Sequence, residues 1–401
     1  MQVLMNEQIW SRNFIFLVLS NFLMYITYYA ILSALPIYLV TDLHATKAQV
    51  GVVVGAYTIA SVLVRPFSGF TLDRFGRRII FLLALVIYSF LFAGYLAALT
   101  ISSIILLRFA QGITWGFTTV SGSTIAADII PASKRGEGIG YFALSTTMGM
   151  SVGPVIGLFI GHHWGYTAVF VSGCVISLLS LACAYAVHLR KRFVVGKRIT
   201  FRWSGLFDRN SVRPSLNVVI TMISYGGLLS FGALYGREIG VQNSSLYFLI
   251  LSVGIAFARL TSGKVFDKNG PGRLITLCLV LLIIGFPLLA MARSALLYYL
   301  SALVIGFGNG VIFPTFQSMV NNLADSQHRG AANSTLYTAI DLGMGFGMVM
   351  AGLVAQHISM PAIFWISGLV SAAGLLFFRR LVLGFYEGHQ NLNPLLPAEN
   401  G

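Results

Sequence analysis

Residues 69–78 read Gly69-Phe70-Thr71-Leu72-Asp73-Arg74-Phe75-Gly76-Arg77-Arg78, a short charged turn between two long apolar runs. Part of this stretch returns 194 residues later, and the same offset relates residues in two further segments. The nine identical pairs are Arg65 and Arg259, Ser68 and Ser262, Gly69 and Gly263, Asp73 and Asp267, Gly76 and Gly270, Arg135 and Arg329, Gly136 and Gly330, Gly149 and Gly343, and Gly153 and Gly347. Nine identities at one offset are hard to obtain by chance in a chain with 9% charged residues. The sequence therefore predicts two copies of one structural unit.

The composition places both copies in a membrane. The 401 residues are 57% hydrophobic and 9% charged, whereas a soluble domain has about 25% charged residues. A bilayer-spanning helix needs about 20 apolar residues. Twelve runs meet this requirement: 13–40, 47–71, 79–99, 103–127, 137–161, 165–188, 214–236, 244–265, 273–292, 296–321, 332–356 and 361–382. The predicted fold class is all-α integral membrane, with 12 transmembrane helices in two pseudo-symmetric six-helix bundles.

One long polar interval separates the first six runs from the last six. We predict an N-terminal six-helix bundle at 1–189, a basic cytoplasmic linker at 190–213, a C-terminal six-helix bundle at 214–382 and a polar, disordered tail at 383–401. The first run is too long for a signal-peptide core and lacks a small-residue cleavage site, so it is predicted to be retained as the first helix.

The distribution of the basic residues predicts the orientation. With the N-terminus in the cytoplasm, 20 of the 26 Lys and Arg residues fall on the cytoplasmic side. This asymmetry is the positive-inside pattern, and it accounts for the net charge of +14 without a nucleic-acid partner. The sequence therefore predicts a multi-pass protein of the cytoplasmic (inner) membrane with both termini in the cytoplasm.

The opening motif, Gly-x-x-x-Asp-Arg-x-Gly-Arg-Arg, resembles the diagnostic motif between the second and third helices of the major facilitator superfamily. A weaker copy at 263–273 lies between the eighth and ninth runs, so the resemblance covers essentially the whole chain. It implies a cytoplasmic gate in which Asp73 accepts hydrogen bonds from the start of the eleventh helix and Arg77 holds Asp128. The gate residues so assigned are Gly69, Asp73, Arg74, Gly76, Arg77, Asp128, Arg259 and Asp267. The alternative is a positive loop that only sets the topology.

Arg108 and Gln111 lie in the fourth run, in a segment that resembles the Arg-x-x-Gln-Gly motif of the same superfamily. A guanidinium inside a membrane helix costs about 2.5 to 3.5 kcal/mol on insertion scales, so it should face a partner or a polar cavity. The functional interpretation is that Arg108 faces Asn21, Tyr25 and Tyr28 of the first helix and takes part in proton coupling or substrate binding. The alternative is that Arg108 extends to the outer interface.

The fifth run contains Gly149, Gly153, Pro154 and Gly157. This pattern resembles a motif that marks exporters more often than importers within the superfamily, although Leu158 stands where the family form has a further glycine. Small residues every fourth position let helices meet backbone to backbone, and the proline adds a bend. The resemblance implies export, and ordinary helix packing is the alternative.

Asp341 is the one acidic residue that lies deep in a predicted helix, since the other 11 of the 12 fall in loops, tails or helix ends. An ionised carboxylate at such a depth is costly unless it is paired, which favours its protonation. We therefore predict that Asp341 carries the coupled proton, together with Arg108. The alternative is a carboxyl that bonds permanently to Thr338 or Ser334.

Aromatic and amide residues at helical spacing are the candidates for a central substrate site. They are Asn21, Tyr25, Tyr28, Gln111, Tyr225, Asn309, Phe313 and Gln317. One acid, one arginine and many rings suit a small amphiphilic compound better than a sugar.

The predicted function is secondary active export of a drug or metabolite by proton antiport and alternating access. The alternatives are an uptake symporter or facilitator, a metallophore or siderophore exporter, and a membrane-embedded enzyme. No Gly-x-Ser-x-Gly or His-Glu-x-x-His motif occurs, so we predict no enzyme and no catalytic residues.

The expected partners are a small-molecule substrate and the lipid bilayer, with no nucleic acid, and the expected state is a monomer. We predict no cofactor and no metal site, with the proton gradient as the driving force. The three cysteines, Cys174, Cys183 and Cys278, lie in apolar runs and are predicted to be inert thiols.

Overall fold

Helices account for every regular element in the computed structural model, which describes residues 9–98, 100–131, 134–188, 208–324 and 329–391. The chain divides into two units, Met1–Phe201 (unit 1) and Arg202–Gly401 (unit 2). The all-α prediction is therefore confirmed. Most of the predicted linker lies outside the described residues.

Unit 1 contains α1 (Arg12–Thr41), α2 (Lys47–Phe75), α3 (Arg77–Ala97), α4 (Ile101–Ile129) and α5 (Arg135–Tyr185). The 51 residues of α5 are interrupted at Gly165, where φ is 79° and ψ is 171°. A positive φ of this kind suits glycine, which lacks a Cβ. The fifth and sixth predicted runs therefore form the two parts of α5.

Unit 2 contains α6 (Val212–Glu238), α7 (Ser244–Ala290), α8 (Ala295–Leu323), α9 (Arg329–His357), α10 (Met360–Phe377), a π-helix (Phe378–Leu383) and α11 (Gly384–Asn391). The eighth and ninth predicted runs both lie in the 47-residue α7.

Within the described residues, nine helical stretches are long and apolar enough to cross a membrane. One of them, Tyr141–Tyr185, has 45 residues. At 1.5 Å per residue its two parts together amount to about 68 Å of helix, roughly twice the thickness of a bilayer core. A shorter apolar stretch, Leu246–Arg259, forms part of α7. The protein is therefore a multi-pass membrane protein, and these stretches are consistent with 12 transmembrane helices.

Glycines make the same helix contacts in both units. A Cβ at Gly149 in α5 would press on the carbonyl oxygen of Phe22 in α1. A Cβ at Gly343 in α9 would press on that of Val219 in α6. The glycines are 194 residues apart and the contacted residues are 197 apart, so α6 is shifted by three residues relative to the rest of the repeat. The pairs α1–α5 and α6–α9 are thus equivalent.

The buried face of α3 also recurs in the second half of α7 at an offset of 194. The buried pairs are Phe81 and Ile275, Leu85 and Leu279, Tyr88 and Leu282, Phe92 and Phe286, and Tyr95 and Leu289. The predicted structural repeat is therefore visible in packing as well as in sequence.

The loops predicted at the two copies of the opening motif need correction. The first is a single residue, Gly76, at φ 94°, because α2 continues to Phe75 and α3 begins at Arg77. The second, predicted within 263–273, is replaced by continuous helix. The counterpart of Gly76 is Gly270, and the next residue is Pro271, where the first copy has Arg77. Proline has a φ near −65°, a helical value, so Pro271 can continue the helix directly after this glycine.

The prediction of a disordered tail is wrong for its first part, which contains α11. Asn322 Nδ2 donates to Tyr386 Oη over 3.1 Å, and the Arg213 guanidinium lies 4.4 Å from the centroid of the Phe385 ring. These contacts attach α11 to α8 and α6. Residues 392–401 lie outside the described residues.

Candidate functional site

Arg108 lies inside unit 1 with 0% of its surface exposed. Its guanidinium carbon is 4.4 Å from the centroid of the Tyr57 ring on α2. The rings of Tyr88 and Tyr95 on α3 lie within electrostatic range of the guanidinium. Even so, none of its three nitrogens has a hydrogen-bond partner of ordinary geometry among the described residues.

Gln111 lies three residues after Arg108, which is the spacing of neighbours on one helix face. Its Oε1 accepts a hydrogen bond of 2.8 Å from Tyr95 Oη. Its Nε2 is buried and has no partner within the described part of the chain. Nearby, the hydroxyls of Thr27 and Tyr88 lie 3.2 Å apart. Unit 1 therefore contains a buried polar group that is rich in donors.

Five rings pack beside this polar group, and we call them the aromatic cluster: Tyr25, Tyr28, Tyr29, Tyr57 and Trp115. Tyr28 is at the centre, with ring centroids 4.5 Å from Trp115 and 4.7 Å from Tyr57. Tyr25 contacts the edge of Trp115 at 4.7 Å. Stacked and edge-to-face arrangements of this kind are favourable for rings 4.5–7 Å apart. The cluster joins α1, α2 and α4.

Two sequence interpretations of this region require correction. Arg108 does not reach the outer interface, because the side chain is fully buried. Its guanidinium lies over the ring of Tyr57 on α2, and Tyr57 stacks in turn on Tyr28 of α1. Asn21 bonds to α5 and not to a described residue of α4, since its Nδ2 donates to Ser145 Oγ and Thr146 Oγ1, each over 2.9 Å. Tyr25 and Tyr28 are brought together as predicted.

Tyr57 and Trp115 are the main residues that sequence reasoning missed. Trp115 lies seven residues after Arg108 and therefore on the same face of α4. Trp115 is also the counterpart of Asn309 in unit 2, because the two residues are 194 positions apart. Asn309 was itself a predicted site residue. Applying the repeat to the candidate list would have found Trp115.

The gate residues are described only in part. Arg77 and Asp128 form a salt bridge between α3 and α4, as the resemblance implied. Arg74 is exposed near the end of α2. The surroundings of Gly69 and the side chains of Asp73 and Asp267 lie outside the described part of the structure. Arg259, in unit 2, donates from Nε to the carbonyl oxygen of Gly310 over 2.9 Å. A gating role remains a prediction.

The motif of α5 packs directly on α1. A Cβ at Gly153 would overlap Tyr29, and one at Gly157 would overlap the carbonyl of Ala30. Pro154 lies inside the helix without interrupting it. The glycines therefore permit contact between the two backbones.

In unit 2, Asp341 lies well inside α9 and is 8% exposed. Tyr337, one turn earlier on the same face, has its ring centroid 5.9 Å from that of Phe313 on α8. Gln317 follows Phe313 by one turn and is partly buried. The structure therefore brings Phe313 to the face of α9 that carries Asp341.

Two further candidates lie on α6 and α8. Tyr225 is buried, and at the offset of 197 it occupies the position of Tyr28 in unit 1. Asn309 has both of its side-chain polar atoms buried without a hydrogen-bond partner among the described residues. Buried amides without partners are uncommon, so Asn309 is a candidate for contact with a ligand.

No group of three or more His, Cys, Asp or Glu residues suited to a metal ion lies within the described ranges.

Comparisons with known proteins agree with this architecture. A family model described as Major Facilitator Superfamily matches residues 17–327, with a second match at 215–394. The chain is 23% identical to the staphylopine export protein of Staphylococcus aureus (strain Mu50), over 82% of this chain and 86% of the relative. It is 25% identical to the multidrug resistance protein MdtG of Klebsiella pneumoniae (strain 342), over 92% of each chain. Its fold is similar to that of a bacterial homolog of the human lysosomal transporter Spinster, with a TM-score of 0.74 at 16% identity, over 94% of this chain and 96% of that one.

Proposed function

This chain belongs to the major facilitator superfamily of transporters, and we propose that it exports a small amphiphilic compound by proton antiport. In the proposed cycle two six-helix bundles, 1–189 and 214–382, alternate between access to the two sides of the membrane. The protein would act in the inner membrane as a monomer with both termini in the cytoplasm. It would need no cofactor, and the proton gradient would drive transport.

The observation that carries the coupling proposal is the position of Asp341. Among the acids whose side chains the structure describes, it alone lies well inside a helix of bilayer length, and it is almost fully buried. When protonated it carries no charge and can be enclosed at low cost, whereas the ionised form favours a cation or water. The carboxyl can therefore link proton binding to the exposure of a site.

Two observations support export of an amphiphile. Relatives that share most of their length with this chain are named for multidrug resistance and staphylopine export. The aromatic cluster of unit 1 supplies ring faces, and Phe313 and Tyr337 supply them in unit 2. Ring faces bind flat, apolar parts of a ligand, and a few polar groups orient it. Tyr25, Tyr28, Tyr225, Asn309, Phe313 and Gln317 are the proposed contacts.

Everted membrane vesicles test the coupling proposal. We would measure uptake of a panel of fluorescent amphiphiles into vesicles that hold an inward-acid pH gradient, with and without a protonophore. Wild-type vesicles should accumulate at least one compound, and the protonophore should abolish this uptake. Asp341→Asn should show no gradient-driven uptake.

Asp42→Asn is the matched control, because Asp42 is an exposed carboxyl at the end of α1 that accepts a hydrogen bond from Thr41. It should transport as the wild type does. Uptake that persists in Asp341→Asn or in the presence of the protonophore would refute the coupling proposal.

A further inference from the structure

The buried polar group of unit 1 is not required by the fold, as the equivalent positions of unit 2 show. We call the group the Arg108 cluster, and its members are Tyr57, Tyr88, Tyr95, Arg108 and Gln111. At the offset of 194 these positions hold Leu251, Leu282, Leu289, Ala302 and Ile305, all of them buried. One unit therefore has an ordinary apolar core where the other has a cation, an amide and three hydroxyls.

The equivalence of these positions rests on packing as well as sequence. A Cβ at Gly112 in α4 would overlap the carbonyl of Tyr57, and one at Gly306 in α8 would overlap that of Leu251. Both the glycines and the contacted residues are 194 apart. The helix pair around Arg108 is thus the same pair that surrounds Ala302.

The cluster carries a positive charge that no described acid neutralises. Of the acids described in unit 1, Asp128 pairs with Arg77, and Asp42 accepts from Thr41 at the end of α1. The three nitrogens of Arg108 and Nε2 of Gln111 are buried donors that make no hydrogen bond of ordinary geometry in the described part of unit 1, although the uncharged Tyr95 hydroxyl lies close to the guanidinium. Buried charges in proteins are normally paired, because taking an ion out of water is costly.

The available acceptors cannot supply the missing charge. The Gln111 Oε1 acceptor is occupied by Tyr95, and the guanidinium lies over the uncharged Tyr57 ring. The Tyr88 and Tyr95 hydroxyls that lie near Arg108 are also uncharged acceptors. Water could accept hydrogen bonds from these donors but would leave the net charge in place. A bound anion would satisfy both requirements.

We propose that Arg108 and Gln111 form a binding site for one small anionic group inside unit 1. The enclosed position favours a halide such as chloride, or the single carboxylate of a larger molecule that enters between the helices. A guanidinium with an adjacent amide suits both a halide and a carboxylate, because each of these anions accepts hydrogen bonds and carries one negative charge. The inference does not depend on the direction of transport or on Asp341.

Thermal unfolding of the purified full-length protein in detergent tests the site. The Tm would be measured against increasing sodium chloride, with sodium isethionate added to keep the ionic strength constant. A ligand that binds only the folded state raises the Tm in a saturable way. The wild type should show this response to chloride, and the response should disappear in Arg108→Ala, which installs the residue found at Ala302.

Arg12→Gln is the matched control, because Arg12 also lies near an aromatic ring, 5.6 Å from the centroid of Phe16, but is exposed on α1. It should retain the full chloride response. If Arg108→Ala does not fold, Gln111→Leu keeps the charge and should weaken the apparent chloride affinity by about tenfold, or roughly 1.4 kcal/mol.

A second titration with sodium acetate separates the two sources of anion. A saturable response to chloride alone identifies a halide site, and a response to acetate identifies a carboxylate site. Equal Tm curves in chloride and isethionate, with no response to acetate, would show that water alone satisfies the donors and would overturn the proposal. A chloride response that survives in both Arg108→Ala and Gln111→Leu would also overturn it.

Discussion

Units 1 and 2 share a backbone arrangement but bury opposite charges. Unit 1 encloses Arg108 where unit 2 has Ala302, and unit 2 encloses Asp341 where unit 1 has Thr147. The glycine contacts between α1 and α5 recur between α6 and α9, so the packing is common to both. The difference shows that the helix contacts are common to the two units, whereas the buried charges are particular to each.

The comparison also suggests a division of roles. A guanidinium stays charged at any physiological pH, whereas a carboxyl can gain or lose a proton. Unit 1 therefore supplies a guanidinium beside five aromatic rings, and unit 2 supplies the carboxyl to which we assign the coupled proton. The following substitutions test this division, from the largest expected effect to the smallest.

Ala302→Arg would place a cation in unit 2 at the position of Arg108. Ala302 is fully buried. The positions around it that correspond to the polar residues of the Arg108 cluster hold Leu and Ile, so the new guanidinium would have no polar neighbour among them. We expect a loss of about 3 kcal/mol in the free energy of unfolding. Thermal unfolding in detergent measures it, and Ala302→Leu controls for the added volume. A variant as stable as the wild type would show that unit 2 can also accommodate a charge.

Gly153→Ala and Gly347→Ala, at equivalent positions, test the shared packing. A Cβ would overlap the Ile26 carbonyl in the first case and the Ile223 carbonyl in the second. Each variant should lose about 1 to 3 kcal/mol through overpacking. Gly384→Ala, at a position with nothing near the added Cβ, is the control. A loss in one unit only would break the equivalence of the two helix pairs.

Asn21→Val installs the residue that unit 2 has at Val218, offset by 197. The change removes the two hydrogen bonds to Ser145 and Thr146. We expect a loss of about 1 to 2 kcal/mol in stability, because one such bond contributes about 0.5–1.5 kcal/mol. The apparent KM for a transported compound should stay unchanged. A raised KM at normal stability would instead place Asn21 in the substrate site.

Tyr386→Phe removes the hydrogen bond from Asn322 while keeping the ring that packs against unit 2. The expected loss is about 1 kcal/mol. Tyr185→Phe is the control, because that side chain is exposed at the end of α5. Unchanged Tm values for both variants would mean that α11 does not contribute to the stability of unit 2.

Much of the fold could be predicted from the sequence because lipid imposes simple requirements. Long apolar runs must be helices, and the spacing of Gly149 and Gly153 against Gly343 and Gly347 reports a repeated helix contact. The three-residue shift of α6 was not predicted, although at an offset of 197 five residues of α1 have identical counterparts in α6: Ile26, Tyr28, Leu32, Ser33 and Tyr38. Nor was the helical continuation through 263–273, where glycine and proline favour a turn by composition.

The candidate site was predictable only where charge made a residue exceptional. Arg108 and Asp341 are conspicuous because charged side chains are rare inside membrane helices. Tyr57 and Trp115 were missed because tyrosine and tryptophan are frequent in such helices and their roles depend on which neighbours they meet. Asn21 was assigned to a ligand site, whereas its amide hydrogens bond to α5, a contact between helices far apart in sequence.

Proton release on ligand binding tests the role of Asp341 most directly. Purified protein in weakly buffered detergent solution, with a pH-sensitive dye, would be mixed with a compound that the vesicle assay identifies as transported. The wild type should release protons into solution as the compound binds, and Asp341→Asn should bind it without release. Equal proton release by the wild type and Asp341→Asn would contradict the assignment of the coupled proton to Asp341.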